Sequence, residues 1–359
     1  MAFSVPTQRN NLATRAGKAQ ATWNENLATV AFGLWLMAGV FIDGFAHANL
    51  RNTIENFFTP WHAILYSGFT VTALWVVWMA FRRVHQGFTG LAAIPAGYEL
   101  GLIGAGIFGL GGVGDMIWHT LFGIEVGIDA LLSPTHLMLY LGATLLITSP
   151  IRAMWHNSSF TPSFKEFLPT LLAAFGTFSF TTFMNMHLWG LVNVPDSSYA
   201  MMYLTGTSGN IASRFVDAGI LFSNAVIMFM ALFLLRRWRT PVGTFTFILG
   251  LNTLAMFAMF GKSDYLPQVL LAAAAGLIMD AMIFTMKPSP TRILELRVFA
   301  IIAPVAIWGL HFLALALTGG VGISRELWTG ITVMTALCGA ALSVLVVPPA
   351  LPNQVPVEN

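Results

Sequence analysis

The chain has little charge and almost no cysteine. Asp, Glu, Lys and Arg make up only 9% of its 359 residues and leave a net charge of +2. That is too little charge to cover a water-facing globular surface and too small an excess to bind a nucleic-acid backbone, so nucleic acid is excluded as a partner. The single cysteine, Cys338, lies in an apolar run; an internal disulfide and any cysteine-built metal site are excluded with it. The first 26 residues lack the short apolar core and small-residue cleavage site of a secretory leader. They read as a polar cytoplasmic tail.

Apolar side chains take the place of the missing charge, at 56% hydrophobic residues and a mean hydropathy of +0.73. A chain of this kind is solvated mainly by lipid. Runs long enough to cross the hydrocarbon core fall at about 28–48, 60–81, 98–119, 132–151, 167–190, 216–235, 243–261, 266–286, 298–318 and 327–347. The expected fold is therefore an all-α polytopic membrane protein of about ten transmembrane helices in five sequential helical hairpins. A single domain, 28–347, is flanked by tails 1–27 and 348–359. Thirteen Lys and Arg residues collect on one side of this arrangement and four on the other. Positive charge marks cytoplasmic loops, so a multi-pass protein of the cell inner (plasma) membrane is expected, with both termini cytoplasmic.

One constellation is written twice. Asp43 and His47 stand four apart, as do Asp115 and His119; a second acid precedes a second His by seven residues in Glu55/His62 and in Asp129/His136. Each copy ends in Pro-x-His-x-x-x-Tyr-x-Gly, with Tyr66 and Tyr140 four residues beyond the second His. The tails align at an offset of 74 and the Asp-x-x-x-His pairs at 72, so hairpins 28–82 and 98–152 read as an internal repeat. A third hairpin within 167–347 keeps only His187, with Phe183 where the Asp would stand.

Residues four apart share a helix face, so each hairpin is expected to bring an Asp and two His together at its extracytoplasmic tip. Asp43, His47 and His62 form one such set and Asp115, His119 and His136 the other. Two imidazoles and one carboxylate leave coordination positions open, an arrangement suited to non-haem iron and usable by copper or zinc. Ionisable groups in a membrane span are costly and mark functional sites. Glu55 and Asp129 are expected in the loops as a further ligand, a bridging carboxylate, an acceptor for an imidazole N–H or a general base. Tyr66 and Tyr140 share a face with the second His, placed to hydrogen-bond a ligand or to pack at the bilayer interface. Gly109, Gly111, Gly112 and Gly114 permit close helix packing near Asp115. The connection at 191–215 is long enough to serve as a lid.

The Asp-x-x-x-His pair with its downstream His resembles the metal motif of the C subunit of the copper membrane monooxygenases, the methane and ammonia oxidisers. Asp43, His47 and His62 match that pattern, and Asp115, His119 and His136 match it again. The resemblance implies copper-dependent oxidation of a small apolar or membrane-soluble substrate. A metal-dependent membrane oxidoreductase using copper or iron is the leading expectation, served by a redox partner or other subunits. A metal-ion or proton-coupled transporter, a zinc-dependent membrane hydrolase and a supporting subunit of a larger oxidase are the alternatives.

Overall fold

The structure is a computed structural model that describes residues 18–50, 57–124, 128–192, 207–261 and 265–349. It is all-α. The long helices are α1 (Trp23–Asn49), α2 (Pro60–His85), α3 (Glu99–Phe122), α7 (Phe164–Met184), α8 (Thr207–Arg237), α10 (Leu266–Met286), α11 (Ile293–Thr318) and α12 (Arg325–Val346). Between α3 and α7 come a single turn, α4 (Asp129–Leu132), then α5 (Pro134–Ile147) and α6 (Ser149–Asn157); α9 (Thr244–Met259) follows α8.

Among the described residues nine helical spans are long and apolar enough to cross a membrane, α5 and α6 counting as one from Pro134 to Trp155. The tenth expected span, 243–261, is the shorter helix α9, whose 16 residues rise only about 24 Å. Asp280 on α10 explains its start. Buried in the bundle, its carboxylate accepts the backbone N–H groups of Phe245 (3.1 Å) and Thr246 (3.0 Å) and the Thr246 hydroxyl (2.8 Å). It thus caps the N-terminus of α9 from a neighbouring helix, where unpaired donors and the helix dipole favour an anion.

Local capping chemistry sets the other helix starts. Helix α1 begins at Trp23, five residues before the expected 28, because Thr22 and Glu25 form a capping box. Thr59 and Ser133 cap α2 and α5, each followed by Pro at the first helical position. The break between α5 and α6 falls just before Pro150, and Arg152 donates to the half-buried Leu145 carbonyl at 2.6 Å.

Helix α1 packs along α2, α3 along α5, α9 along α10, and α11 along both α10 and α12. Helix α7, the most enclosed span, lies against α1, α5, α6 and α9, while α8 packs chiefly on α12. Glycines bring the first two pairs into backbone contact. A Cβ on Gly68 would stand 2.6 Å from the Leu36 nitrogen, and one on Gly142 would stand 2.6 Å from the Phe108 nitrogen. At one end of the bundle Glu25, buried, pairs with Arg82 and Arg83, and Arg83 also donates to the Gln20 and Met79 carbonyls. Lys18 pairs with Glu99 there. The Asp and His residues lie at the opposite ends of α1 to α3.

Candidate metal centre

The second His of each set is placed by helix capping. The Thr59 hydroxyl accepts the His62 N–H at 3.2 Å and the Ser133 hydroxyl accepts the His136 N–H at 3.4 Å, so each His stands two residues after the initiating Pro. The first His and the Asp of each set come from the last turns of α1 and α3. Helix pairing then closes the two groups, Asp43/His47/His62 and Asp115/His119/His136. Within each group one ligand atom per residue lies within 4.8 Å of the others. Both groups can hold a metal ion.

The distances show how each group converges on its carboxylate. His62 Nε2 is 3.4 Å from Asp43 Oδ1 and His47 Nε2 is 3.8 Å from Asp43 Oδ2. In the second group His119 Nε2 is 3.4 Å and His136 Nε2 3.0 Å from Asp115 Oδ1. His62, Asp115 and His119 are buried.

The imidazoles are oriented through their other nitrogens. His62 Nδ1 bonds to the Phe57 carbonyl and His119 Nδ1 to the Gly123 carbonyl at 3.2 Å. A carbonyl can only accept, so both Nδ1 atoms carry a proton, and a neutral ring in this tautomer presents its Nε2 lone pair to the carboxylate. Two such lone pairs 3.4 Å apart repel unless a proton or a metal cation lies between them. Asp43 Oδ1 and His119 Nε2 are moreover buried without a hydrogen-bond partner, a condition that costs about 1–3 kcal/mol per group if nothing binds there. The donor set and these two orphaned atoms fit a metal ion in each group.

The two groups face one cavity of about 500 Å³. The His62 and His119 rings, one from each group, stack with centroids 6.2 Å apart. Apolar side chains, among them Leu65, Phe108, Leu139, Ala143 and Phe180, line the rest. His187, on the short 3-10 turn after α7, reaches the same cavity. Partial burial holds its pKa below the ordinary imidazole value.

The remaining sequence candidates have different outcomes. Tyr66 donates to Asp115 Oδ2 at 3.0 Å, serving the second group although it stands on α2 with His62 of the first. Tyr140 bonds the Thr181 hydroxyl of α7 at 3.1 Å and lines the cavity. Asp129 is exposed at the start of α4 and belongs to neither group. The partner of His136 Nδ1 is the Ser133 hydroxyl, at 2.9 Å. Glu55 lies outside the described residues, as does most of the 191–215 connection.

No known protein family, curated protein or solved structure matches the chain. The site's chemistry therefore rests on its own geometry. Sequence reading missed Ser133 and Thr135, although the run Ser-Pro-Thr-His carries both a capping signal and two hydroxyls beside the ligand. Thr135 donates to Asp115 Oδ1 at 3.3 Å.

Proposed function

We propose that the chain is an integral membrane metalloprotein whose two Asp/His/His groups bind copper or non-haem iron and oxidise a small apolar or membrane-soluble substrate. The observation that carries this reading is the pair of three-ligand groups on the wall of a single, largely apolar cavity. Such a wall receives an apolar molecule and keeps water scarce beside the ligands. Bound copper or iron would supply the one-electron and oxygen chemistry that no side chain here provides. The chain's part is to hold and orient: three oxygen partners, Phe57, Gly123 and Ser133, fix the imidazoles, and Tyr66 with Thr135 fixes Asp115. Zinc fits the same donors, and would serve a hydrolase instead.

The motif-level resemblance to the C subunit of copper membrane monooxygenases supports copper and a membrane-soluble substrate. The two groups are read as copies in a parallel repeat of helical hairpins at the extracytoplasmic face of the inner membrane, with both termini cytoplasmic. The transporter reading is less well supported. At the far end of the bundle the charged residues Glu25, Arg82, Arg83, Lys18 and Glu99 are engaged with one another. Buried apolar side chains such as Leu36, Val76 and Phe108 lie between them and the groups.

Metal analysis of the purified protein beside His62→Ala and His136→Ala tests the proposal. Loss of all metal from either variant indicates one shared centre, and loss of half from each indicates two. Full metal content in both variants overturns the site.

A further inference from the structure

A second cavity, of about 700 Å³, opens between α2 and α3. These two helices meet along a thin seam, whereas each packs along its own partner over most of its length. Three residues, His62, Tyr66 and Phe108, line both this cleft and the cavity of the metal groups. The two spaces are therefore separated by little more than one imidazole and one phenol.

The cleft is built for an apolar occupant. Its floor is the stacked pair Phe69 and Phe108, with ring centroids 4.1 Å apart. Its outer lip is Phe58, 80% exposed, and its side is Val113, 56% exposed. Both helices are long and apolar enough to cross a bilayer, and in one the mouth between them would face hydrocarbon. The hydroxyls in the wall are already used by backbone: Thr70 donates to the Tyr66 carbonyl and Thr59 accepts the His62 N–H. Among the described residues no Asp, Glu, Lys or Arg lines the cleft to select a charged headgroup.

Two glycines of α3 leave the room. A Cβ on Gly112 would stand 2.8 Å from Tyr66 Cε1, so that glycine admits the phenol ring to Asp115. At Gly109 the nearest atom to a Cβ would be Phe69 Cζ, at 3.8 Å, which leaves the space beside it open.

We propose that this cleft is a binding site and lateral entrance for a small uncharged apolar molecule dissolved in the bilayer, with Tyr66 and His62 as the inner wall it must pass. The cleft binds such a molecule whether or not the groups hold metal; only its role as a route to a reaction rests on the function proposed above. Occupancy alters the surroundings of the Tyr66 ring, which is the reporter.

The test uses the full chain in lipid nanodiscs, labelled with fluorotyrosine, with fluorine NMR as readout and n-pentane as the probe. The Tyr66 resonance is assigned by its loss in Tyr66→Phe. The expected result is a saturable shift of that resonance in the parent and in Gly106→Phe. The latter places the same ring on α3 where no atom lies within 4 Å of a Cβ, outside the cleft. In Gly109→Phe the cleft is filled and the apparent affinity falls about tenfold or more. Gly109→Ala, a smaller plug, weakens binding by less and remains measurable should the larger variant misfold. Absence of a saturable shift in the parent overturns the proposal, whether the cleft is closed or held by a lipid chain. So does an undiminished shift in both Gly109 variants. A chain that shows the shift but binds no metal keeps the cleft and loses the proposed function; the reverse result does the opposite.

Discussion

Tyr66 on α2 hydrogen-bonds Asp115 on α3 at 3.0 Å, so a side chain of the first constellation holds the carboxylate of the second. The two groups are tied by that phenol as well as by the His62–His119 stack. Tyr66→Phe removes the tie and leaves all six ligands in place. Metal affinity of the second group should fall about 10–100-fold, the usual cost of losing an outer hydrogen bond to a ligand, while the first group is unaffected. Tyr140→Phe, whose hydroxyl bonds Thr181, should leave both affinities unchanged. Metal titration of the two variants beside the parent checks this.

Thr59 and Ser133 occupy equivalent caps but differ in what else they hold. Thr59 caps α2 while the Phe57 carbonyl orients His62; Ser133 caps α5 and orients His136 itself. Each Ala substitution should cost about 1 kcal/mol of stability for the lost cap. Only Ser133→Ala should also weaken metal binding, by about tenfold or more. Thermal unfolding in detergent and metal titration separate the two effects.

Asp280 is buried and accepts the first N–H groups of α9. Asp280→Ala orphans those donors at a cost of about 1–3 kcal/mol. A lower unfolding temperature with unchanged metal content per folded molecule is the expected outcome. Loss of metal at unchanged stability would show that this carboxylate serves the site.

Gly68 and Gly142 let two helix pairs touch backbone to backbone. Leu at either position must push the helices apart, with a penalty of about 1–3 kcal/mol or more, and should lower metal occupancy of the group on that pair. Gly106→Leu, on the open face of α3, is expected to do neither. Unfolding temperature and metal content of the three variants decide the point.

The ligand sets were legible because both of their determinants are local. A four-residue spacing fixes Asp and His on one helix face, and a capped Pro-x-His start fixes the other His. Tyr66 was harder, since its face is readable but its partner depends on how α2 lies against α3, and no local pattern encodes that. Asp129 heads the single turn α4, too short for periodicity to constrain direction, and is exposed; Glu55 lies outside the described residues. The short helix α9 owes its cap to a residue 35 positions after Phe245, beyond the reach of any window. The capping box at Thr22 and Glu25 was readable, and it moves the start of α1 ahead of the hydropathy boundary.

The glycine seams have a further consequence for recognising this site elsewhere. A Cβ on Gly39 would meet the Leu65 Cα at 2.5 Å, and one on Gly111 would meet the Leu139 nitrogen at 3.2 Å. Gly39 stands four residues before Asp43 and Gly111 four before Asp115, just as Gly68 and Gly142 stand six after the second His. Backbone approach and ligand position are thus written in one string, Gly-x-x-x-Asp-x-x-x-His followed by Pro-x-His-x-x-x-Tyr-x-Gly. A chain that carries the ligands with larger residues in place of Gly39, Gly68 and Gly142 must shift its helices before the same group can close, so these glycines belong to the site's signature as much as its ligands do.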